Sequence, residues 1–191
     1  MAAGSLMDQH RFHAQTYHAA PMDIDRALGD SPAMLGVLSD SHGESRRTQR
    51  AVETLLSAGA DHIIHCGDFE SMRCIDHLAG LRAHIVFGNN DDPAALASYA
   101  EDLGIQVHHP VGELEFDGIK VAFTHGHIGP AVDAAIERRV PWLFVGHSHA
   151  ALDTQVHATR MVNPGALSRA HPYTVALVCP ADGLVKFIPI P

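Results

Sequence analysis

Five short clusters of Asp, Asn, His and Gly recur along this chain, each directly after an apolar run. That arrangement restricts the fold more than any other feature. The clusters are Asp40-Ser41-His42, Gly67-Asp68, Gly88-Asn89-Asn90-Asp91, His125-Gly126-His127 and Gly146-His147-Ser148-His149. A short apolar run that stops at a polar cluster reads as a buried strand handing its loop to one edge of a sheet. A lone Gly-Asp is usually a turn, and a lone His-x-His is usually chance or an exposed strand. Five such groups in register predict a shared edge, the carboxyl end of the strands, where open α/β sheets bind ligands.

The intervening pattern supports this. Residues 34–38 form the first apolar run, and residues 44–58 read as a helix with Ala51, Val52, Leu55 and Leu56 on one face and Arg46, Arg47 and Arg50 on another. Gly59 ends that helix. Strands are predicted over 61–65 and 84–87, with helices over 71–79 and 94–101, the last opened by Pro93. Such alternation implies a largely parallel sheet covered by helices. Later, Asp117-Gly118 joins runs 113–116 and 119–123 as a hairpin. A helix near 130–138, a strand at 142–145, short strands within 152–162 and a closing hairpin around Ala181-Asp182-Gly183 follow. The expected fold class is α/β, with two mixed sheets packed face to face and helices outside. Residues 33–191 read as one domain. Residues 1–32, where His10, His13 and His18 stand among Ala, Gln and Asp, read as a flexible N-terminal extension.

Composition narrows the function classes. The net charge of -9 argues against an extended nucleic-acid surface. A small phosphorylated ligand remains compatible, because bound metal inverts charge locally. No apolar run reaches the roughly 20 residues that span a bilayer, so no membrane partner is expected. Three cysteines, Cys66, Cys74 and Cys179, lack C-x-x-C spacing, which predicts a reducing, cytoplasmic setting without disulfides. Pairing with a second copy is left open.

Carboxylate, amide and imidazole donors suit divalent manganese, iron, zinc or nickel, and the lack of thiolate disfavours a purely structural zinc site. Glycines before Asp68, Asn89 and His147 would let the backbone approach closely. His65, His62, His77, His84, His157 and His171 read as packed or surface histidines, and Cys66 as a buried thiol. Arg46, Arg47 and Arg73 could bind phosphate, but solvated faces are the plainer reading.

The series D-x-H, G-D, G-N-x-D, H-G-H and G-H-x-H, with Asn163-Pro164-Gly165 near the end, resembles the calcineurin-like metallophosphoesterase superfamily. The short form is most similar to its small YfcE-type bacterial and archaeal phosphodiesterases. The resemblance implies a four-layer α/β/β/α sandwich and two divalent ions, manganese foremost, with nickel, iron or zinc as alternatives. Asp40, His42 and His149 would hold one ion and Asn89, His125 and His147 the other, with Asp68 bridging. Asp68, Asn89 and His125 would thereby form the catalytic core. It further implies a phosphodiesterase in which a hydroxide bridging the ions attacks a small phosphate ester. Many relatives carry His after the Asn, where it can protonate the leaving oxygen; here Asn90 cannot. His127 could substitute, or could simply lie nearby. Asp91 could fix the tautomer of His125 or His147, or could be a helix cap or turn residue ahead of Pro93. The other reading is a non-catalytic interaction scaffold like the retromer subunit of this fold, which the intact donor set disfavours. A metal-binding sensor with negligible turnover is a third.

Overall fold

The run before Asp40 is strand β1 (Leu35–Leu38), buried along its whole length. A computed structural model describes residues 31–191; the extension expected over 1–32 lies outside the described residues except for Ser31 and Pro32. Helix α1 (Ser45–Ser57) follows, then β2 (His62–His65) and α2 (Met72–Ile75). Next come β3 (Ala83–Ile85), α3 (Pro93–Asp102) and β4 (Gln106–Val107). β1, β2, β3 and β4 run parallel, and two late strands, β10 (Tyr173–Cys179) and β11 (Leu184–Ile190), complete this first sheet in the order β11-β10-β1-β2-β3-β4.

The second sheet begins with the expected hairpin, β5 (Val111–Phe116) and β6 (Ile119–Thr124), turned at Asp117-Gly118 with both residues at positive φ. Helix α4 (Gly129–Glu137), β7 (Trp142–Phe144), β8 (Leu152–Val156) and β9 (Thr159–Asn163) follow. The order is β5-β6-β7-β9-β8, with β6, β7 and β9 parallel and the two edge strands antiparallel.

Both faces of the first sheet are covered, which is why β1 reads as an unbroken apolar run. Leu38, Ile63 and Ile85 point to the layer of α1, α2 and α3, where Ala51, Leu55, Ile75 and Leu78 meet them. Leu35, Val37 and Ile64 point the other way, onto Val121, Phe123 and Phe144 of the second sheet. Ala135 of α4 covers Ala122 and Leu143 on that sheet's outer face. The layers are therefore α/β/β/α, as expected, and each fully buried Leu, Ile or Phe contributes about 1.5–3 kcal/mol.

Two local departures have physical causes. The helix expected over 71–79 is only one α turn capped by Ser71, followed by a 3-10 turn over Asp76–Leu78, an arrangement that buries both Ile75 and Leu78. Strand β4 has no counterpart in the sequence reading: two residues on a sheet edge carry no alternation, and only their pairing with His84 and Ile85 defines them.

Candidate metal centre

All five polar clusters lie at the carboxyl ends of parallel strands: β1, β2 and β3 in one sheet, β6 and β7 in the other. Backbone bonds stitch the first two loops together, with Asp40 N–H donating to Gly67 O at 3.0 Å and His42 N–H to Asp68 O at 3.0 Å. Across the sheets, His147 N–H donates to Asp40 Oδ2 at 3.0 Å, and within the second sheet's edge Gly146 N–H donates to His125 O at 2.9 Å. Asn163 supports the last loop, its Nδ2 donating to Gly146 O at 2.7 Å and to Ser148 Oγ at 3.0 Å.

The backbone here is strained. Asp40, His42, Asp68, Glu70, His147 and His149 all adopt positive φ, between 42° and 66°. Each such non-glycine residue costs on the order of 1–2 kcal/mol and persists only where its surroundings over-determine it. Two glycines permit the close approach. A Cβ on Gly88 would lie 2.1 Å from Asp68 Oδ1, and one on Gly146 would lie 2.0 Å from Ser39 Oγ and 2.9 Å from Asp40 Oδ2.

The donors converge. Asp40, His42 and His149 each offer one ligand atom within 4.8 Å of the others, and so do Asp40, Asp68 and His125. His42 Nε2 is 3.1 Å from His149 Nε2, which is itself 3.1 Å from Asp40 Oδ1. His125 Nε2 is 3.4 Å from Asp68 Oδ2 and 3.2 Å from Asn89 Oδ1. The ring of His147, an exposed residue, lies beside His125 with centroids 5.1 Å apart. Asp40, Asp68 and His125 are buried.

Tautomers follow from the partners. A carboxylate and a carbonyl can only accept, so His42 Nδ1 donates to Glu70 Oε1 at 2.7 Å and His125 Nδ1 donates to Cys66 O at 2.8 Å. When neutral, both rings therefore turn an Nε2 lone pair toward carboxylate oxygens. Lone pair facing carboxylate is repulsive unless a cation or a proton lies between them. Oδ1 of Asp40 is also buried without a hydrogen-bond partner among the described residues. The residues present thus fit divalent metal by charge, donor type and unmet valence.

Electrostatics agree. Burial alone would raise the Asp68 pKa, but hydrogen bonds from His125 and Asn90 hold the carboxyl well below its usual range. Burial would lower His125, yet its hydrogen bond to Asp68 and the charges of Asp40 and Asp68 raise it overall. The field of this cluster favours a positive charge.

The neighbours take specific places. Asn90 donates from Nδ2 to Asp68 Oδ2 at 2.7 Å and from its backbone to Oδ1 at 2.9 Å. Asp91 takes the turn reading, its N–H closing on Gly88 O at 3.4 Å. Instead of an imidazole, its carboxylate accepts the backbone N–H groups of Asp68, Phe69, Glu70 and Gly88 at 2.7–2.9 Å. The helix cap is Asp92, which accepts from Ala94 and Ala95. His127 packs beside His125 and His147, and its buried Nδ1 has no partner among the described residues. Burial, then the neighbouring His125 and His147, lowers its pKa.

His65 is packed, as expected, stacked on Phe69 at 3.7 Å. It also joins two loops: Gly67 N–H donates to Nδ1, so Nε2–H donates to Ser41 Oγ at 2.8 Å. Burial pushes the His65 pKa down to about 3 and the Cys66 thiol up, leaving both groups neutral. Arg46 and Arg73 are exposed, whereas Arg47 lies over the Tyr173 ring and donates to Leu167 O. The contact that sequence reasoning missed is Glu70 with His42, because no spacing signals a pairing between two loops.

The fold and this edge together define an α/β/β/α sandwich protein with an Asp–Asn–His cluster at its strand ends. The chain belongs to the calcineurin-like phosphoesterase superfamily, whose domain profile matches residues 34–182. It is 29% identical over 136 residues to the phosphodiesterase MJ0936 of Methanocaldococcus jannaschii, a match spanning 69% of this chain and 82% of that one. A solved archaeal phosphodiesterase superposes with a TM-score of 0.73 at 24% identity, over 83% of this chain and 99% of its own. YfcE, a phosphoesterase from E. coli, gives 0.59 at 20% identity, over 83% and 100%. Vps29 from Entamoeba histolytica gives 0.58 at 18%, over 81% and 97%, so the same fold is common to all three.

Proposed function

We propose that this protein is a metal-dependent phosphoric ester hydrolase that prefers a small phosphodiester. The observation that carries the reading is the convergence of His42 Nε2, His149 Nε2 and Asp40 Oδ1, an oxygen without a hydrogen-bond partner among the described residues, at the strand-end edge. Asp40, His42 and His149 would hold one divalent ion and Asn89, His125 and His147 a second, with Asp68 shared between them. Manganese, nickel, iron or zinc suits such a set. Bound ions would supply Lewis acidity toward phosphate oxygens and a lowered pKa for coordinated water.

The chain's own residues set the rest. Asn90 favours the ionised form of Asp68 by donating to both of its oxygens, from Nδ2 and from the backbone N–H. Asp91 fixes the loop that carries Asp68 through four backbone N–H groups. Asn90 has no acidic proton to give a leaving oxygen at neutral pH, so departure is unassisted from that position. Good leaving groups are favoured accordingly. The diester preference is supported by the relative MJ0936, whose name is phosphodiesterase. Three free, buried thiols support the cytoplasm as its compartment.

A scaffold role of the kind suggested by the Vps29 fold is the competing reading; the intact donor set weighs against it. The test is hydrolysis of bis-p-nitrophenyl phosphate by purified protein with added manganese or nickel. Turnover that stops with chelator, and that exceeds turnover of p-nitrophenyl phosphate, supports the proposal. Metal-loaded protein inert toward both esters supports the scaffold.

A further inference from the structure

We propose that Glu70 is a positioning residue that presents His42 to the first metal position; the inference rests on the metal-dependent reading above. The contact is direct: Glu70 Oε1 accepts from His42 Nδ1 at 2.7 Å, the length of a charge-assisted bond. The His42 side chain is 2% exposed and that of Glu70 31%, so the carboxylate reaches in from the rim to a buried ring. Its effect is to fix the tautomer that leaves Nε2 free to face Asp40, Asp68 and His149. A carboxylate behind a ligating imidazole also raises the basicity of the nitrogen that binds.

The backbone argues the same way. Glu70 sits at φ 54°, where glycine would be less strained. Its N–H is clamped by Asp91 Oδ1 at 2.9 Å, and the same Asp91 carboxylate holds the N–H groups of Asp68 and Phe69. The loop is thereby held in a left-handed turn that aims the Glu70 side chain back at His42. The second position is built differently. His125 is backed by the neutral Cys66 carbonyl, not by a carboxylate. The two metal positions should therefore respond unequally to loss of Glu70.

The test is metal binding by calorimetry, with manganese or nickel as the probe, alongside the melting temperature of metal-free protein. Glu70→Gly should weaken one of two bound ions by about 10–100-fold, the usual effect of removing such a partner. The melting temperature of the metal-free variant should stay level or rise, because the positive φ is relieved. Glu70→Gln keeps an oxygen that accepts from Nδ1, so its affinity should fall between the wild type and Glu70→Gly. Wild-type affinity for both ions in Glu70→Gly, or a loss seen only with a fall in metal-free stability, overturns the inference alone. A wild-type protein that binds no divalent ion overturns the metal-dependent reading and this inference with it.

Discussion

Asp40 Oδ1 and His149 Nε2 lie 3.1 Å apart, although the two residues arrive on strands of different sheets. The contact crosses the gap between the layers at their shared edge. It is locked by His147 N–H on the other oxygen of the same carboxylate and by the left-handed backbone of both residues. A buried carboxylate is costly unless its oxygens are satisfied, and Oδ1 has no hydrogen-bond donor among the described residues. A divalent cation between the loops would offset that cost.

Asp68 is the carboxylate common to both proposed positions. Asp68→Asn keeps its shape but removes the charge and one strong ligand oxygen. Turnover of bis-p-nitrophenyl phosphate should fall by at least about 10²-fold, more than the loss of a supporting residue. Bound metal, measured by elemental analysis, should fall with it. Wild-type turnover in this variant would remove Asp68 from the site.

Asn90 stands where a leaving-group acid would be useful, and it holds Asp68 through Nδ2. Asn90→His trades that hydrogen bond for an acid. Rates on esters with poor, alkyl leaving groups should rise relative to those with p-nitrophenolate, by up to about 10²–10⁴-fold in the ratio. An unchanged ratio would mean that leaving-group protonation is not what the native site lacks.

Gly88 lies against the Asp68 carboxylate, and a Cβ there would stand 2.1 Å from Oδ1. Gly88→Ala must displace either the carboxylate or the loop. A stability loss of about 1–3 kcal/mol is expected from overpacking, read by denaturant melts. Metal affinity should fall as well. A variant with native stability and affinity would show that the loops are looser than the geometry indicates.

Away from the site, His62, His84 and His108 form a ladder between the sheets, with 3.3 Å between successive ring nitrogens. Burial, then the charges of His62 and His108, lowers the His84 pKa to about 4. Burial also lowers His62, with Asp61 opposing and Arg82 assisting, and it lowers His108. The unfolded chain, titrating near 6.5, therefore binds more protons than the folded one below that pH. This ladder's stability is fully present above about pH 6.5 and is lost as pH falls toward 4. Melting temperatures of the wild type and His84→Leu, followed from pH 7.5 to 4.5, should show the wild type losing more. Parallel curves would contradict the assignment.

The layers and the site were legible to different degrees. Strands buried on both faces announce themselves by apolar residues, so Leu35–Leu38, and Ile63-Ile64 within His62–His65, were readable, and with them the loops that follow. Gln106–Val107 was not, because an edge strand of two residues has no period. The part Asp91 plays as a loop tie was not legible, because its partners are backbone N–H groups of Gly88 and of the separate Asp68–Glu70 loop. The His42–Glu70 pair was invisible for the same reason: contact between loops depends on φ values that no spacing encodes.

The most direct measurement is anomalous diffraction from crystals loaded with manganese. Two peaks about 3.5–4 Å apart are expected. One should lie on Asp40, His42 and His149, the other on Asn89, His125 and His147, with Asp68 touching both. Saturating manganese that leaves those side chains without a peak, or that binds only elsewhere on the molecule, would contradict it.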